Sequence, residues 1–231
     1  MIERIICLVI GYICGLFQTG YIIGRLKGID IREHGSGNAG TTNTVRTMGL
    51  KYGLLTLAGD ILKCGVAIII SRILFGHKCS DILPILLIYA ASGAILGHNF
   101  PFYMKFKGGK GMAATSGFVI FGLGPVMTVI CFIVFAVVFG TTHYVSLGAI
   151  LVYLTLLIST GIYWKFDLFG FIVNGVSYCY IEYLLIIILL TIMVLVRHKE
   201  NIKRLIAGEE RKTYLKSKPI LDVDKDKGDN E

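Results

Sequence analysis

Long apolar runs alternate with short polar segments along this chain. The runs cover about 3–26, 53–75, 82–98, 112–124, 125–142, 145–162 and 176–196. A helix needs roughly 20 apolar residues to cross the hydrocarbon of a bilayer, and most of the runs approach that length. Between the fourth and fifth, Gly-Leu-Gly-Pro at 122–125 interrupts what would otherwise be one long helix. Proline removes a helix hydrogen bond, and glycine beside it favours a turn. The pattern predicts an all-α polytopic membrane protein with seven transmembrane helices, two of them short and tilted, around 112–141. A re-entrant hairpin at that place is also compatible.

Composition agrees with the pattern. Of 231 residues, 55% are hydrophobic and only 16% are charged, with a mean hydropathy of +0.72. A soluble domain of this length needs more surface charge. The six cysteines form no C-x-x-C pair, and five lie within apolar runs. They read as small buried hydrophobes, not as a disulfide framework or metal site. "MIERIICLVIGYICGL" lacks a basic leader region, so it is expected to be the first span and not a removed signal. A single transmembrane domain is expected over 1–212, followed by a polar, disordered tail over 213–231.

The net charge of +8 does not point to nucleic acid, because no basic stripe interleaves with exposed aromatics. It marks sidedness instead. Arg25, Lys27, Arg32, Arg46 and Lys51 follow the first span. Lys105, Lys107 and Lys110 follow the third, and Arg197, Lys199, Lys203 and Arg204 follow the last. The positive-inside rule places these three segments in the cytoplasm and the N-terminus outside. The three share one face only if the stretch over 112–141 crosses twice or not at all. Seven spans put the C-terminus in the cytoplasm.

Each basic segment carries candidate chemistry. In "GSGNAGTTN", Gly35, Gly37 and Gly40 permit close backbone approach to a ligand. Successive N–H groups in such a turn can form an anion nest. Ser36, Asn38, Thr41, Thr42 and Asn43 add neutral donors, and Arg46 can grip a phosphate with two parallel hydrogen bonds. The competing view is a flexible polar loop. In "KFKGGKG", Gly108, Gly109 and Gly111 accompany Lys107 and Lys110 at a helix start, without Walker A spacing. Taken alone it is a positive-inside loop. Its neighbours Phe100, Phe102, Tyr103 and Phe106 read as interfacial anchors.

"RHKENIKRLIAGEERK" leaves the last span as a short amphipathic helix. His198 and Asn201, three apart, share a face, and the alternative is a lipid-headgroup helix. Asp60 and Lys63, also three apart, suggest a structural ion pair within the second span, with Lys63 as a ligand contact second. Ser146 opens the sixth span as a cap or as a catalytic hydroxyl. Together, two glycine-rich cationic loops and a His/Asn helix on one face could hold two phosphate-bearing ligands, with acyl tails between helices. A transporter for a phosphorylated solute is the main alternative, and a lipid-binding scaffold a third. The spans are poor in polar groups beyond Asp60, Lys63 and Glu182, which disfavours a transport path.

At these residues the chain resembles the PlsY family, the bacterial acyl-phosphate:glycerol-3-phosphate acyltransferases. The carrying motifs are "HGSGNAGTTNTVRTMG", "GHNFPFYMKFKGGKGMAATSG" and "HKENIKRL", from "GYIIGRL" to about Lys212. The resemblance implies acyl transfer from acyl phosphate to the 1-hydroxyl of sn-glycerol 3-phosphate, giving lysophosphatidate and inorganic phosphate. It implies a multi-pass protein of the bacterial cell membrane with its site on the cytoplasmic face. No cofactor, coenzyme A, acyl carrier protein or metal is implied, and nothing calls for a partner chain, so a monomer is expected. By matched position, Ser36, Arg46, Lys110, Ser146, His198 and Asn201 form the catalytic cluster. The glycines of both loops, with Asn38, Thr42, Asn43 and Lys107, form the substrate pocket. His198 is expected as a phosphate or hydroxyl contact, with general base as the alternative.

Thr41 stands where the family has alanine, Ala114 where it has threonine, and Gln18 where it has proline. Gly208-Glu209-Glu210 replaces a common Gly-Thr-Glu and is expected to lie far from the essential set.

Overall fold

A computed structural model describes residues 1–166, 172–173, 176–177, 179–215, 218–221 and 223. Apart from a two-residue ladder, its regular structure is helical. The α-helices are α1 (Ile2–Gly15), α2 (Thr19–Leu26), α3 (Thr41–Met48), α4 (Leu50–Phe75), α5 (Leu83–Asn99), α6 (Met112–Phe118), α7 (Pro125–Thr142), α8 (Val145–Lys165), α9 (Tyr180–Arg197) and α10 (Lys199–Ile206). Strands β1 (Ile172–Val173) and β2 (Val176–Ser177) pair antiparallel between α8 and α9. The last run was expected to be helical from 176, but its helix starts at Tyr180.

Among the described residues, six helical segments are long and apolar enough to cross a membrane: α1 with α2, α4, α5 with its flanking turns, α7, α8 and α9. The expected fourth span is a shorter apolar helix, Met112–Leu123. Its second half, Val119–Leu123, widens into a π-turn and ends at Gly124, whose φ of +82° few other residues would adopt. Pro125 then opens α7. The Gly-Leu-Gly-Pro interruption thus divides 112–142 as its chemistry requires.

Lipid offers no hydrophobic drive for helices to associate, so small residues that let backbones touch decide which helices pair. The closest pair here is α1 with α5. A Cβ on Gly11 would lie 2.0 Å from the Ala90 carbonyl oxygen, and one on Gly15 would lie 2.2 Å from that of Ala94. From the other side, Gly93 and Gly97 would meet the carbonyls of Leu8 and Tyr12 at 2.1 and 2.3 Å. Each helix thus presents two glycines four apart to its partner. Around the seam, Ile85, Ile88, Ala91 and Ile95 of α5 are fully buried, with Phe118, Tyr183 and Ile187 packed nearby. Side chains such as Phe132, Ile158, Ile181 and Leu189 are exposed, as a lipid-facing surface requires.

One end of the bundle is tied by charge. Arg4 of α1 makes a forked pair with Glu182 of α9, at 2.6 and 2.9 Å, and Tyr89 of α5 donates to the same carboxylate at 2.9 Å. At the other end, a small apolar cluster of Ile31, Ala39, Met48, Tyr52 and Met104 seats the first loop on the bundle, and Val223 of the tail packs against it.

The tail set off at 213 does not leave the domain there. The Thr213 N–H donates to His143, and those of Ile220 and Leu221 donate to the Arg46 and Thr47 carbonyls at 3.0 and 2.9 Å. Thr213, Ile220 and Leu221 of the expected tail thus hydrogen-bond to the domain. Its final stretch, 224–231, lies outside the described residues.

The seam gives a direct test. Gly93→Ile must push its side chain into α1 backbone, which cannot yield, and overpacking of this kind costs about 1–3 kcal/mol or more. Gly140→Ala on α7, where a Cβ meets nothing within 4 Å, should be tolerated. Thermal unfolding in detergent should show a large loss for the first and none for the second.

Candidate active site

The first loop is built around Asp30 and Asn43. Asp30 accepts from the Arg32 side chain at 2.6 and 2.9 Å and from Arg25 at 2.9 Å. Hydrogen bonds from Arg32, working against burial, hold its carboxyl down at about 2. Asn43, buried on α3, donates to the Ile31 and His34 carbonyls at 3.0 Å each and accepts the Ser36 N–H at 2.7 Å. The Gly37 N–H donates to His34, and the Gly40 N–H to the Asn38 side chain. Gly35 has φ +62°, and a Cβ there would sit 2.3 Å from Asn43 Oδ1.

The Ser36, Gly37 and Gly40 N–H groups and the Asn43 amide, taken from sequence as ligand donors, are therefore engaged within the loop. Their part is to fix its shape. Ser36 itself is exposed on the rim, as are Gly35 and Gly37, while Asn38 and Thr42 are half-buried.

The second loop is clamped on both edges. The Gly108 and Gly109 N–H groups donate to the Asn99 and His98 carbonyls at 3.1 and 3.0 Å. Their own carbonyls accept from Arg197 at 2.9 and 2.7 Å. These two N–H groups are likewise not free for an anion. The turn instead aims Lys110 inward, while Lys107 points to solvent. Gly111, with φ +89°, opens α6. Phe102, Tyr103 and Phe106 are exposed nearby, as interfacial anchors would be.

The third segment meets both loops. Lys110 is hydrogen-bonded to Asn201 Oδ1. Asn201 Nδ2 donates to Glu210 Oε1 at 2.6 Å, Ser146 Oγ donates to the same oxygen at 2.8 Å, and Arg204 Nε donates to Oε2 at 2.9 Å. Arg211 reaches the Gly35 carbonyl at 3.4 Å. These contacts place the three basic segments at one end of the bundle.

Glu210 corrects the expectation that Gly-Glu-Glu lies far from the essential set, because its carboxylate is the hub of the cluster. Burial pushes that carboxyl up, but hydrogen bonds from Asn201, Ser146 and Arg204 outweigh it, and the net shift is downward. In sequence it is one acid in a charged run, with no local signal of this contact. Ser146 is not a simple helix cap, since its hydroxyl donates across to that hub.

Arg46 sits half-buried on α3, within electrostatic reach of Glu210, Arg204 and Arg211, and burial lowers its pKa. His198 caps α9, and its Nδ1 lies 2.9 Å from the Val194 carbonyl, so Nδ1 carries the proton and Nε2 the lone pair. Burial, then the nearby Lys110 charge, pushes its pKa down to about 4. The ring is neutral at pH 7. Burial likewise lowers Lys110 to about 8. The cluster gathers Arg46, Lys110 and Arg204 around the Glu210 carboxylate, with Ser146 and Asn201 as neutral partners, a partly buried cationic set suited to a phosphate and to negative charge that develops during reaction.

Comparison with known proteins now defines the class. A family profile described as Glycerol-3-phosphate acyltransferase matches residues 5–208. The glycerol-3-phosphate acyltransferase of Bacillus subtilis (strain 168) is 42% identical over 207 residues, covering 89% of this chain and 95% of the relative. That of Clostridioides difficile (strain 630) is 38% identical, covering 90% and 94%. The fold is similar to a crystal structure of PlsY (YgiH), an integral membrane glycerol 3-phosphate acyltransferase, in its glycerol 3-phosphate form. There the TM-score is 0.75 at 30% identity, over 91% of this chain and 96% of that one. The same protein's lysophosphatidic acid form gives 0.71 at 30% identity, covering 92% and 96%. The chain is a multi-pass membrane acyltransferase. It belongs to the glycerol-3-phosphate acyltransferase family.

The depressed Lys110 ionisation can be read without substrate. Amine-reactive labelling, which needs the neutral amine, should rise through a midpoint near pH 8, about two units below an ordinary lysine. The positive charge is present below that midpoint and lost above it. A midpoint near 10 would place Lys110 in solvent.

Proposed function

We propose that this chain transfers a fatty acyl group from an acyl phosphate to the 1-hydroxyl of sn-glycerol 3-phosphate. The products are 1-acyl-glycerol 3-phosphate and inorganic phosphate, a step of bacterial phospholipid synthesis. Family membership supports the acceptor, since the relatives carry glycerol 3-phosphate in their names. The observation that carries the site assignment is the Lys110–Asn201–Glu210–Ser146 cluster, which joins the second and third basic segments to the start of α8, with Arg46 of the first segment within electrostatic reach of Glu210. A donor with a lipid tail and a phosphate head fits that boundary. The tail lies among apolar helices, and the head meets cations at the surface.

Acyl phosphate is a mixed anhydride and already activated, so no acyl-enzyme is required. The acceptor hydroxyl oxygen bonds to the acyl carbon, the bond from that carbon to the phosphate oxygen breaks, and the hydroxyl proton leaves with the departing phosphate. Orienting two bound ligands can supply about 7–11 kcal/mol in ideal cases. Arg46 and Lys110 hold phosphate charge, and Ser146 and Asn201 orient the acceptor. Ser36, with Gly35, Gly37, Asn38, Gly40 and Thr42, lines the first phosphate's approach. Lys107 draws anions in at the rim. A His198 held near 4 is a weak base at neutral pH, so its Nε2 serves better as a hydroxyl contact.

The reading extends to topology. The protein crosses the bacterial cell membrane seven times as a monomer, with the short Met112–Leu123 segment included, its N-terminus outside and the site on the cytoplasmic face. No cofactor or metal takes part.

Purified protein in detergent with acyl phosphate and labelled glycerol 3-phosphate should form lysophosphatidate, whereas vectorial transport would give no product. Arg46→Ala and Lys110→Ala should each lower kcat/KM by about 10²–10³, the scale for removing one charge-stabilising donor. His198→Gln should keep kcat within about tenfold, because general base catalysis would be worth 10²–10⁴. Unchanged phosphate release in the Arg46 and Lys110 variants would overturn the site assignment.

A further inference from the structure

Beneath the second loop, three ionisable side chains meet inside the bundle. Asp60 and Lys63 come from α4 and His98 from the end of α5, and each is at most 6% exposed. Lys63 Nζ donates to Asp60 Oδ1 and to the Phe17 carbonyl, both at 2.7 Å, and lies 2.8 Å from His98 Nδ1. Thr19 donates to Asp60 at 3.2 Å. The three protons of the ammonium thus have three acceptors. His98 Nδ1 must then carry a lone pair, so the ring proton is on Nε2. A buried ion pair at this depth is weak evidence for stability, and ionisable groups inside a membrane span point to a role. Neither the phosphate pocket nor the transfer step uses it.

What the trio touches is the Gly-Gly-Lys-Gly turn. The His98 carbonyl takes the Gly109 N–H at 3.0 Å. A Cβ on Gly109 would lie 1.9 Å from His98 Nε2, and one on Gly108 would lie 2.1 Å from the His98 oxygen. The imidazole is therefore the floor under Gly109, while Gly108 rests on the His98 backbone. Lys110 is the next residue, and it is the one that reaches Asn201.

We infer that Asp60, Lys63 and His98 are positioning residues. The ion pair fixes the imidazole plane, the imidazole sets the height of the glycine turn, and the turn delivers Lys110 to the cluster. This rests on Lys110 being a phosphate-holding group.

Three variants test the inference. Lys63→Met removes the clamp but strands Asp60. Asp60→Asn/Lys63→Met removes both charges and keeps the volumes. His98→Asn leaves the ion pair intact with an acceptor near the Nδ1 position, but takes away the floor. Two measurements are made on whichever variants keep the wild-type unfolding temperature. The midpoint of Lys110 amine labelling without substrate should move up from near pH 8 toward that of an ordinary lysine, because the side chain is no longer held in the cluster. KM for glycerol 3-phosphate should rise about 10- to 100-fold, the penalty of a small misplacement transmitted from outside the chemistry. Combination with Lys110→Ala should add nothing further, since groups acting through one another are not additive.

Wild-type labelling in a folded variant, or losses that add to that of Lys110→Ala, would overturn the positioning role, as would collapse of His98→Asn in which the ion pair is untouched. Altered labelling with no acyl transfer by the wild type would leave positioning intact and remove the functional reading.

Discussion

The backbone contact between α1 and α5 is the constraint on which the rest depends. Gly11 and Gly15 face Gly93 and Gly97 so closely that no side chain fits between the helices. That seam brings the ends of the two helices together, and the first two basic segments start from those ends. Side-chain hydrogen bonds then stitch the ends. Gln18 donates to the His98 carbonyl at 3.0 Å, Tyr103 to Leu16 at 2.6 Å, and Tyr12 to Phe100 at 2.9 Å. Without the seam, the first loop and the Gly-Gly-Lys-Gly turn would have no fixed relation. A cluster that spans both would then lack the precision that transfer between two bound ligands requires.

On this frame the polar groups divide by task. Backbone donors in both loops satisfy the loops themselves, through Asn43 in one and through the end of α5 and Arg197 in the other. The side-chain cations Arg46, Lys110 and Arg204 gather about the Glu210 carboxylate and Asn201. Internally bonded loops, and cations already hydrogen-bonded to Asn201 and Glu210, make a site whose shape is set in advance of any ligand. That is the condition under which fixed charges stabilise a transition state without reorganising.

Much of this was legible in the chain. Apolar run lengths located the spans to within a few residues, and Gly-Leu-Gly-Pro located the break between α6 and α7. Charge parity put three distant segments on one face, and Lys110 with Asn201 now joins two of them. What escaped were features that have no local signature. Gly11, Gly15, Gly93 and Gly97 sat silently in apolar runs, because close approach depends on the partner helix. The role of Asn43 was read as outward, since donors cannot be assigned to ligand or loop without a fold. Glu210 lay in a charged stretch just past the family match at 208, and His98 stood at a helix end with nothing to link it to Asp60 and Lys63.

The most direct measurement is a structure of this protein with glycerol 3-phosphate bound. The phosphate should lie within hydrogen-bonding reach of Arg46 or Lys110, with the 1-hydroxyl directed toward Ser146, Asn201 or His198. A phosphate held away from all five residues, or at the Arg4–Glu182 end of the bundle, would contradict a site assembled from the three basic segments.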